Sequence, residues 1–463
     1  MLFKRIFDED LAQAGYFIGC RGTGEAVVVD PRRDVQVYLD EARRQGMKIT
    51  AVTETHIHAD YLSGSRELAE ATGAALYLSD EGGDDWQYQF PHLGLRHGDI
   101  LEVGTLVLQA RHTPGHTPEH LSFLLTDGAA TDTPGFYLTG DFVFVGDLGR
   151  PDLLDASGVG TDAYTDTYAM ARALFRSLRD EFLTLPDFVQ VWPGHGAGSA
   201  CGKALGAMAT TTVGHEKLVA WWAPFAASSD EAGFVKTLLE GQPDAPAYFG
   251  RMKRQNRQGP ALLGRRDTPK RLEPDHLSGD TLIVDTRARS VYDDTVAGAL
   301  HLPADQTFAS YAAYVIDPER DTREIVLFAD DAAGAAALRD RLAYVGIDRV
   351  VGFIRDFGDL RCVSMKRVLP EALGDLENPF ILDLRTASEY DAGHLPGAHR
   401  LHAGRVMWNL GELPRDRPLV THCQSGARST VVTSALRAAG FDNVVELEGS
   451  YLGWQRAQEG GTV

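Results

Sequence analysis

Cysteine is scarce in this chain: Cys20, Cys201, Cys362 and Cys423 are the four, scattered over 463 residues. So wide a spacing argues against a disulfide framework and points to a reducing compartment, with the cytoplasm as the expectation. No apolar run approaches the roughly 20 residues of a membrane-crossing helix, so no membrane span is expected. The first residues, Met1-Leu2-Phe3-Lys4-Arg5-Ile6-Phe7-Asp8, lack the apolar stretch of a secretory signal. Basic charge is also short, with 45 Lys and Arg against 65 Asp and Glu and a formal net charge of -20. That balance argues against general nucleic-acid binding and against docking on anionic lipid, both of which need a basic face. Neither nucleic acid nor membrane is expected as a partner. The 44 % hydrophobic content is that of a globular protein. A chain this long exceeds one core, and about two to four domains are expected.

Chemistry first shows in Thr55-His56-Ile57-His58-Ala59-Asp60-Tyr61. Imidazoles and a carboxylate at alternate positions suit a metal site on a loop leaving a strand, where such side chains converge. Ile49-Thr50-Ala51-Val52-Thr53 ahead of it reads as a β-branched strand, and Ser65 to Thr72 behind it as a helix closed by Gly73. A lone histidine pair is weak evidence, but matching pieces follow. These are His112-Thr113-Pro114-Gly115-His116-Thr117, Gly140-Asp141 and Pro193-Gly194-His195-Gly196, each beside or just after an apolar run. The residue types leave two metals open. If His56, His58 and His116 all coordinate, the set suits hydrolytic zinc. If His58 turns away, His56, His116 and Asp141 form a two-histidine, one-carboxylate face suited to non-haem Fe(II). His112 and His120 read as hydrogen-bonded structural histidines. Cys201 reads equally well as a buried inert thiol or as a sulfur relay beside the metal.

Along the first 240 residues, strand-like runs alternate with helical ones. Ala26–Asp30, Thr105–Gln109, Leu121–Leu125, Phe136–Thr139 and Phe188–Trp192 are strand-like, whereas Val35–Gln45 and Tyr164–Leu183 carry helical periodicity. The mixture predicts two sheets covered by helices, with the metal loops along one edge. Gly19-Cys20-Arg21-Gly22-Thr23-Gly24 has no following Lys-Ser/Thr and reads as a hairpin turn, not a phosphate loop. Residues 241–274 read as a connector wrapping the first domain, and its basic stretch Arg251 to Arg257 as a solvated face.

The rest of the chain contains an internal repeat. Ile283-Val284-Asp285-Thr286-Arg287 with Tyr292 is echoed by Ile381-Leu382-Asp383-Leu384-Arg385 with Tyr390. Ile325 to Phe328 and a helix ending at Gly346 match Leu419 to His422 and a helix ending at Gly440. Two small parallel α/β domains follow, over 275–365 and 366–463. The copies differ where it matters: Ala329 stands opposite Cys423 and Gly334 opposite Arg428. Cys423-Gln424-Ser425-Gly426-Ala427-Arg428 lies between a strand and a helix. A thiol there sits in a ring of backbone N–H groups at a positive helix end, which stabilises an anion. Cys423 and Arg428 are thus the catalytic candidates, with Gln424, Ser425, Gly426 and Ala427 forming the substrate cradle.

The H-x-H-x-D, P-G-H-T and G-D words resemble the metallo-β-lactamase superfamily throughout the first domain. Two-zinc hydrolases of that superfamily place a further histidine where this chain has Tyr61. A phenol with a pKa of about 10 is a poor ligand, so a single metal is expected. Glu54 to Asp60, Gly140 to Asp152 and Pro193 to Ser199 resemble persulfide dioxygenases, and the domain order resembles bacterial persulfide dioxygenase–rhodanese fusions. The loop of four residues between Cys423 and Arg428 resembles the active rhodanese pattern C-x-x-G-x-R. These resemblances imply an α/β multidomain chain: an αββα metallo-β-lactamase sandwich over 1–240, a connector, and two rhodanese-like domains, the first without catalytic residues. They imply one Fe(II) per chain on His56, His116 and Asp141, with His58, Asp60 and His195 orienting ligands and waters. Arg150 would hold an anionic part of the substrate, its alternative being an ion pair with Asp152 or Asp147. The implied substrates are low-molecular-weight thiol persulfides, O2, and thiosulfate or sulfite. The rival expectation is a zinc thioester hydrolase of the glyoxalase II kind fused to a sulfurtransferase. A non-enzymatic rival is a persulfide sensor. Oligomeric state stays open, a homo-oligomer included.

Overall fold

Alternation of buried side chains along the first strands dictates a layered architecture. On β2 (Gln13–Cys20) and β3 (Glu25–Val29), Tyr16, Ile18, Val27 and Val29 pack in one core, whereas Phe17, Ala26 and Val28 pack in another on the opposite side. A strand that buries both faces must be covered on both. The computed structural model, which describes residues 1–153 and 163–460, shows how. With β1 (Leu2–Asp8), β4 (Lys48–Thr53), β5 (Ala75–Ser79) and β6 (Leu93–Leu95), these strands form a six-stranded sheet in sequence order. A second six-stranded sheet contains β7 (Ile100–Val103), β8 (Leu106–His112), β9 (Leu121–Asp127), β10 (Phe136–Gly140), β11 (Gln190–Pro193) and β12 (Thr211–Thr212).

The shared core between the sheets holds Tyr16, Ile18, Val27 and Val29 against Leu106, Leu108, Leu121, Phe123 and Leu138. Each such fully buried side chain contributes roughly 1.5–3 kcal/mol. Outside the first sheet, α1 (Gln36–Gln45) and α2 (Ser65–Thr72) cover Phe17, Val28 and Val52 with Tyr38, Ala42 and Leu68. Outside the second lie α3 (Ala163–Ser177), α4 (Val213–Val219), α5 (Ala223–Ser228) and α6 (Glu231–Leu239), whose Leu174, Trp222 and Phe234 pack on Tyr137 and Val191. The arrangement is αββα. The expected helix over Tyr164–Leu183 falls partly on side chains outside the described residues; its described part forms α3 and the turn after it.

Chain membership departs from a simple connector. Met1–Gln242 and Phe249–Arg265 form one compact unit, while Pro243–Tyr248 and Arg266–Val463 form the other. The basic stretch expected as a solvated face is instead α7 (Phe249–Gln258), with Arg251, Met252, Lys253 and Asn256 buried. The reason is visible at Asn256. Its amide donates to His58 O at 2.8 Å and Tyr61 O at 2.7 Å, and accepts from Ser63 N–H at 2.9 Å. These bonds pin the H-x-H-x-D loop, and a buried amide so satisfied cannot lie on a solvated face.

The second unit repeats one parallel sheet. Its first copy orders β13 (Lys270–Arg271), β14 (Leu282–Asp285), β16 (Leu300–His301), β17 (Ile325–Phe328) and β18 (Val350–Ile354) as 13-18-17-14-16, with β15 (Asp294–Val296) and β19 (Cys362–Ser364) paired beside it. The second copy orders β20 (Arg367–Val368), β21 (Phe380–Asp383), β22 (His399–Arg400), β23 (Leu419–His422) and β24 (Val444–Leu447) as 20-24-23-21-22, the same permutation. Helices α8 (Phe308–Val315) and α9 (Ala332–Tyr344) belong to the first copy, and α10 (Ala387–Asp391), α11 (Ala427–Ala438) and α12 (Ser450–Gly460) to the second.

Candidate functional site

Strand ends of the first unit deliver the metal-type residues to one place. His56, His58 and Asp60 follow β4, His116 lies between β8 and β9, Asp141 follows β10 and His195 follows β11. Gly140 turns sharply (φ +51°), and a Cβ there would run into Thr55 and His120, so only glycine lets β10 hand over to Asp141. Among the described residues, His56, His116 and Asp141 offer one ligand atom each, all within 4.8 Å of one another. His56 Nε2 and His116 Nε2 lie 3.9 Å and 3.6 Å from Asp141 Oδ2.

These three atoms fit a metal ion: each is buried and has no hydrogen-bond partner. An orphaned buried carboxylate oxygen aimed at two orphaned ring nitrogens is too costly to keep without a ligand. The ring tautomers suit it. The Thr55 hydroxyl donates to Asp30 Oδ2 at 2.9 Å and thereby accepts His56 Nδ1–H at 3.0 Å. His116 Nδ1–H donates to Arg150 O at 2.9 Å. Both rings thus turn a lone pair on Nε2 inward. Burial lowers both basicities, His116 to about 4 despite the opposing Asp141 charge, so both rings are neutral, as ligands must be.

His58 is turned elsewhere, its Nε2 3.2 Å from Asp30 Oδ1. His195 bridges two carboxylates, Nδ1 to Asp141 Oδ1 at 2.7 Å and Nε2 to Asp60 Oδ2 at 2.9 Å. Burial opposes its protonation, but the two carboxylates outweigh it and hold the ring as imidazolium. Burial likewise works against the Asp141 anion, and His195 reverses that, keeping the carboxyl well below its ordinary range. His120, expected to be structural, accepts from Asp141 N–H at 3.1 Å, and His112 bonds Pro118 O at 2.8 Å. Tyr61 accepts from Gln13 at 3.2 Å, with its phenol held protonated by burial and by the neighbouring carboxylates. Cys201 is buried beside Asp60 and His195, and burial pushes its thiol up.

Arg150 does not present a free fork to a substrate. It is buried, its Nε donates to Asp152 Oδ1 at 2.8 Å, its Nη2 donates to Asp152 Oδ2, and its Nη1 donates to Ala200 O at 3.2 Å. This is the ion pair expected as the alternative, with Asp152 only two residues away. Asp30 was missed from sequence, although it organises both Thr55 and His58. It holds a left-handed backbone (φ +50°), a strain matched by the bonds its carboxylate accepts. Its only sequence signal is an acid ending the Val27-Val28-Val29 run.

In the second unit Cys423 follows β23 and is buried against the start of α11. Gly426 N–H points at its sulfur from 3.1 Å, and Gly426 itself needs a left-handed backbone (φ +110°). Gln424 is held through its side-chain oxygen by Arg385 Nη1 at 3.0 Å, and Arg385 is paired with Asp383 at 2.7 Å. Ala427 is the first residue of α11. Arg428 forms a fork-to-fork pair with Glu389, at 2.7 and 2.6 Å. Sequence reading missed Glu389, whose signal is the Thr386-x-x-Glu389 capping box that opens α10.

That pair has a pH signature. Partial burial would raise Glu389, but the Arg428 hydrogen bonds hold it down at about 2. A depressed carboxyl stabilises the fold fully above its unfolded value, about 4.3, and loses the contribution as pH falls through the folded one. Glu389→Gln is therefore less stable than the native chain at neutral pH. The gap in Tm, followed by circular dichroism, narrows as pH drops from about 5 to about 3.

The family model "Metallo-beta-lactamase superfamily" matches residues 9–195, and "Rhodanese-like domain" matches residues 368–457. The chain is 32 % identical over 181 residues to a hydroxyacylglutathione hydrolase of Polaromonas sp., covering 39 % of this chain and 60 % of that protein. It is 26 % identical over 203 residues to the mitochondrial persulfide dioxygenase ETHE1 of Bos taurus, covering 42 % and 68 %. A solved metallo-beta-lactamase structure from Staphylococcus aureus subsp. aureus COL is 36 % identical with a TM-score of 0.67, covering 76 % of this chain and 98 % of that one.

Proposed function

Because the chain belongs to the metallo-beta-lactamase superfamily and carries a rhodanese-like domain behind that fold, we propose a bifunctional enzyme of sulfur metabolism. Its first unit oxidises a low-molecular-weight thiol persulfide with O2 and water to sulfite and the free thiol. The second moves sulfane sulfur through Cys423 between thiols, sulfite and thiosulfate. The observation that carries the first half is the donor set: two imidazoles and one carboxylate converge, while the third imidazole, His58, is spent on Asp30. Such a face suits Fe(II) better than hydrolytic zinc. Likeness to ETHE1 supports the same reading.

His56, His116 and Asp141 would hold one Fe(II), which supplies the electrons for dioxygen that no side chain can. The chain's own groups prepare the site. Thr55 and the Arg150 carbonyl fix the imidazole tautomers, and His195 keeps its proton between Asp141 and Asp60 so that Asp141 stays anionic. Burial of all these groups excludes bulk water. At the other site, the Cys423 thiolate attacks the outer sulfur of thiosulfate. A new S–S bond forms to Cys423, the donor's S–S bond breaks with its electron pair on the leaving sulfite, and a second acceptor later takes the sulfur.

Likeness to the hydroxyacylglutathione hydrolase favours the second reading, a zinc thioester hydrolase. Metal analysis together with oxygen uptake on glutathione persulfide separates them. The expected result is one iron per chain, oxygen consumption and sulfite. Zinc with thioester turnover and no oxygen uptake would replace the first reading by the second.

A further inference from the structure

The copy of the repeat that lacks the cysteine reaches into the other copy's loop. Arg289 belongs to the first copy, four residues after Asp285; the matching residue of the second, four after Asp383, is Ala387. Its Nη1 donates to Ser425 O at 2.8 Å and its Nε donates to Thr430 Oγ1 at 2.8 Å. Nη2 lies 3.6 Å from the buried Glu446, which also accepts from Ser429 and Thr430 at 2.7 and 2.8 Å. The guanidinium packs so closely on Gly426 that a Cβ there would overlap it.

We propose that Arg289 is a positioning residue for sulfur transfer: by holding the Ser425 carbonyl outward, it turns the Gly426 N–H inward onto the Cys423 sulfur. Peptide geometry couples the two groups. In a trans peptide the carbonyl of one residue and the N–H of the next point in opposite directions. Ser425 O and Gly426 N belong to the same plane, so the bond on one side sets the direction of the donor on the other, 3.1 Å from Cys423 Sγ. Glycine at 426 makes this plane free to rotate, so something must hold it. The same N–H faces the anion during attack and the persulfide after it. Arg289 thus acts through the loop and touches no substrate. The copy with Ala329 in place of the loop cysteine thereby has a part in the transfer.

This proposal rests on Cys423 as the sulfur carrier, and the test keeps the two apart. Thiosulfate with cyanide as acceptor is assayed for the native chain, Cys423→Ser, Arg289→Ala and Arg289→Lys. A charge-assisted hydrogen bond lost from the sulfur lowers kcat of Arg289→Ala about tenfold, with KM for thiosulfate within about twofold. Arg289→Lys keeps one donor for Ser425 O and lies between the two. Added guanidinium ion partly restores Arg289→Ala. Oxygen uptake at the proposed metal site of the first unit stays at the native level, and an unchanged Tm by circular dichroism reports an intact second unit. Native kcat in Arg289→Ala overturns the proposal alone. So does a loss confined to KM, which would make Arg289 a substrate contact, or an equal loss in both variants that guanidinium leaves unchanged. Absence of transfer in the native chain overturns the sulfur-carrier reading and this proposal with it.

Discussion

Asp141→Ala loses the metal, and oxygen uptake on a thiol persulfide falls to background. Three proposed ligand atoms cannot become two without consequence, and Asp141 has a double role. One oxygen faces the two imidazoles, and the other carries the hydrogen bond of His195. Removal leaves His195, whose charge two carboxylates had sustained, with Asp60 alone. The loss exceeds the roughly 10- to 100-fold seen when a partner behind a ligand is removed. Metal-to-protein ratio and oxygen consumption on the purified variant check it. A variant that keeps a full equivalent of metal and its oxygen uptake would overturn the proposed ligand set.

Cys423→Ser has the second large effect, and a selective one. A hydroxyl has no accessible anion at neutral pH, so no sulfur is loaded and thiosulfate turnover disappears. Oxygen uptake stays within about twofold of native, because the residues proposed for the two reactions lie in separate compact units. Mass spectrometry of the chain after thiosulfate treatment reads the first outcome directly, as the absence of one added sulfur. A parallel collapse of oxygen uptake would mean that the two sites share a step. Retained oxygen uptake in this variant argues against the sensor reading, in which Cys423 is loaded and the metal site is vestigial.

Much of this was legible in the sequence because strand alternation and loop words are local. The αββα layering follows from Val27-Val28-Val29 and its neighbours, and the loop words at the strand ends hold His56, His116 and Asp141, whose donor atoms lie within 4.8 Å of one another. The repeat was readable from paired Asp-x-Arg motifs, and both copies indeed share one strand permutation. Partners supplied from a distance were not legible. Asn256 is 198 residues from the His58 carbonyl it holds, and Arg289 is 136 from Ser425. Composition made α7 resemble a solvated segment because Arg, Lys and Gln look alike whether their heads are buried or not. At Arg150 the sequence offered both a substrate role and an ion pair, and the structure shows the pair with Asp152, two residues on.

The crossing of the chain at residue 242 has a practical consequence. Pro243–Tyr248 belongs with the second unit, where Asp244 pairs with Arg400 at 2.7 Å, before the chain returns to the first as Phe249–Arg265. No single break in the gene releases both halves whole. A cut after Gln242 strips the first half of the amide that pins its histidine loop, and one after Arg265 robs the second of a carboxylate. Replacing either half at a single junction would face the same obstacle, so an exchange needs two junctions, one on each side of Pro243–Tyr248.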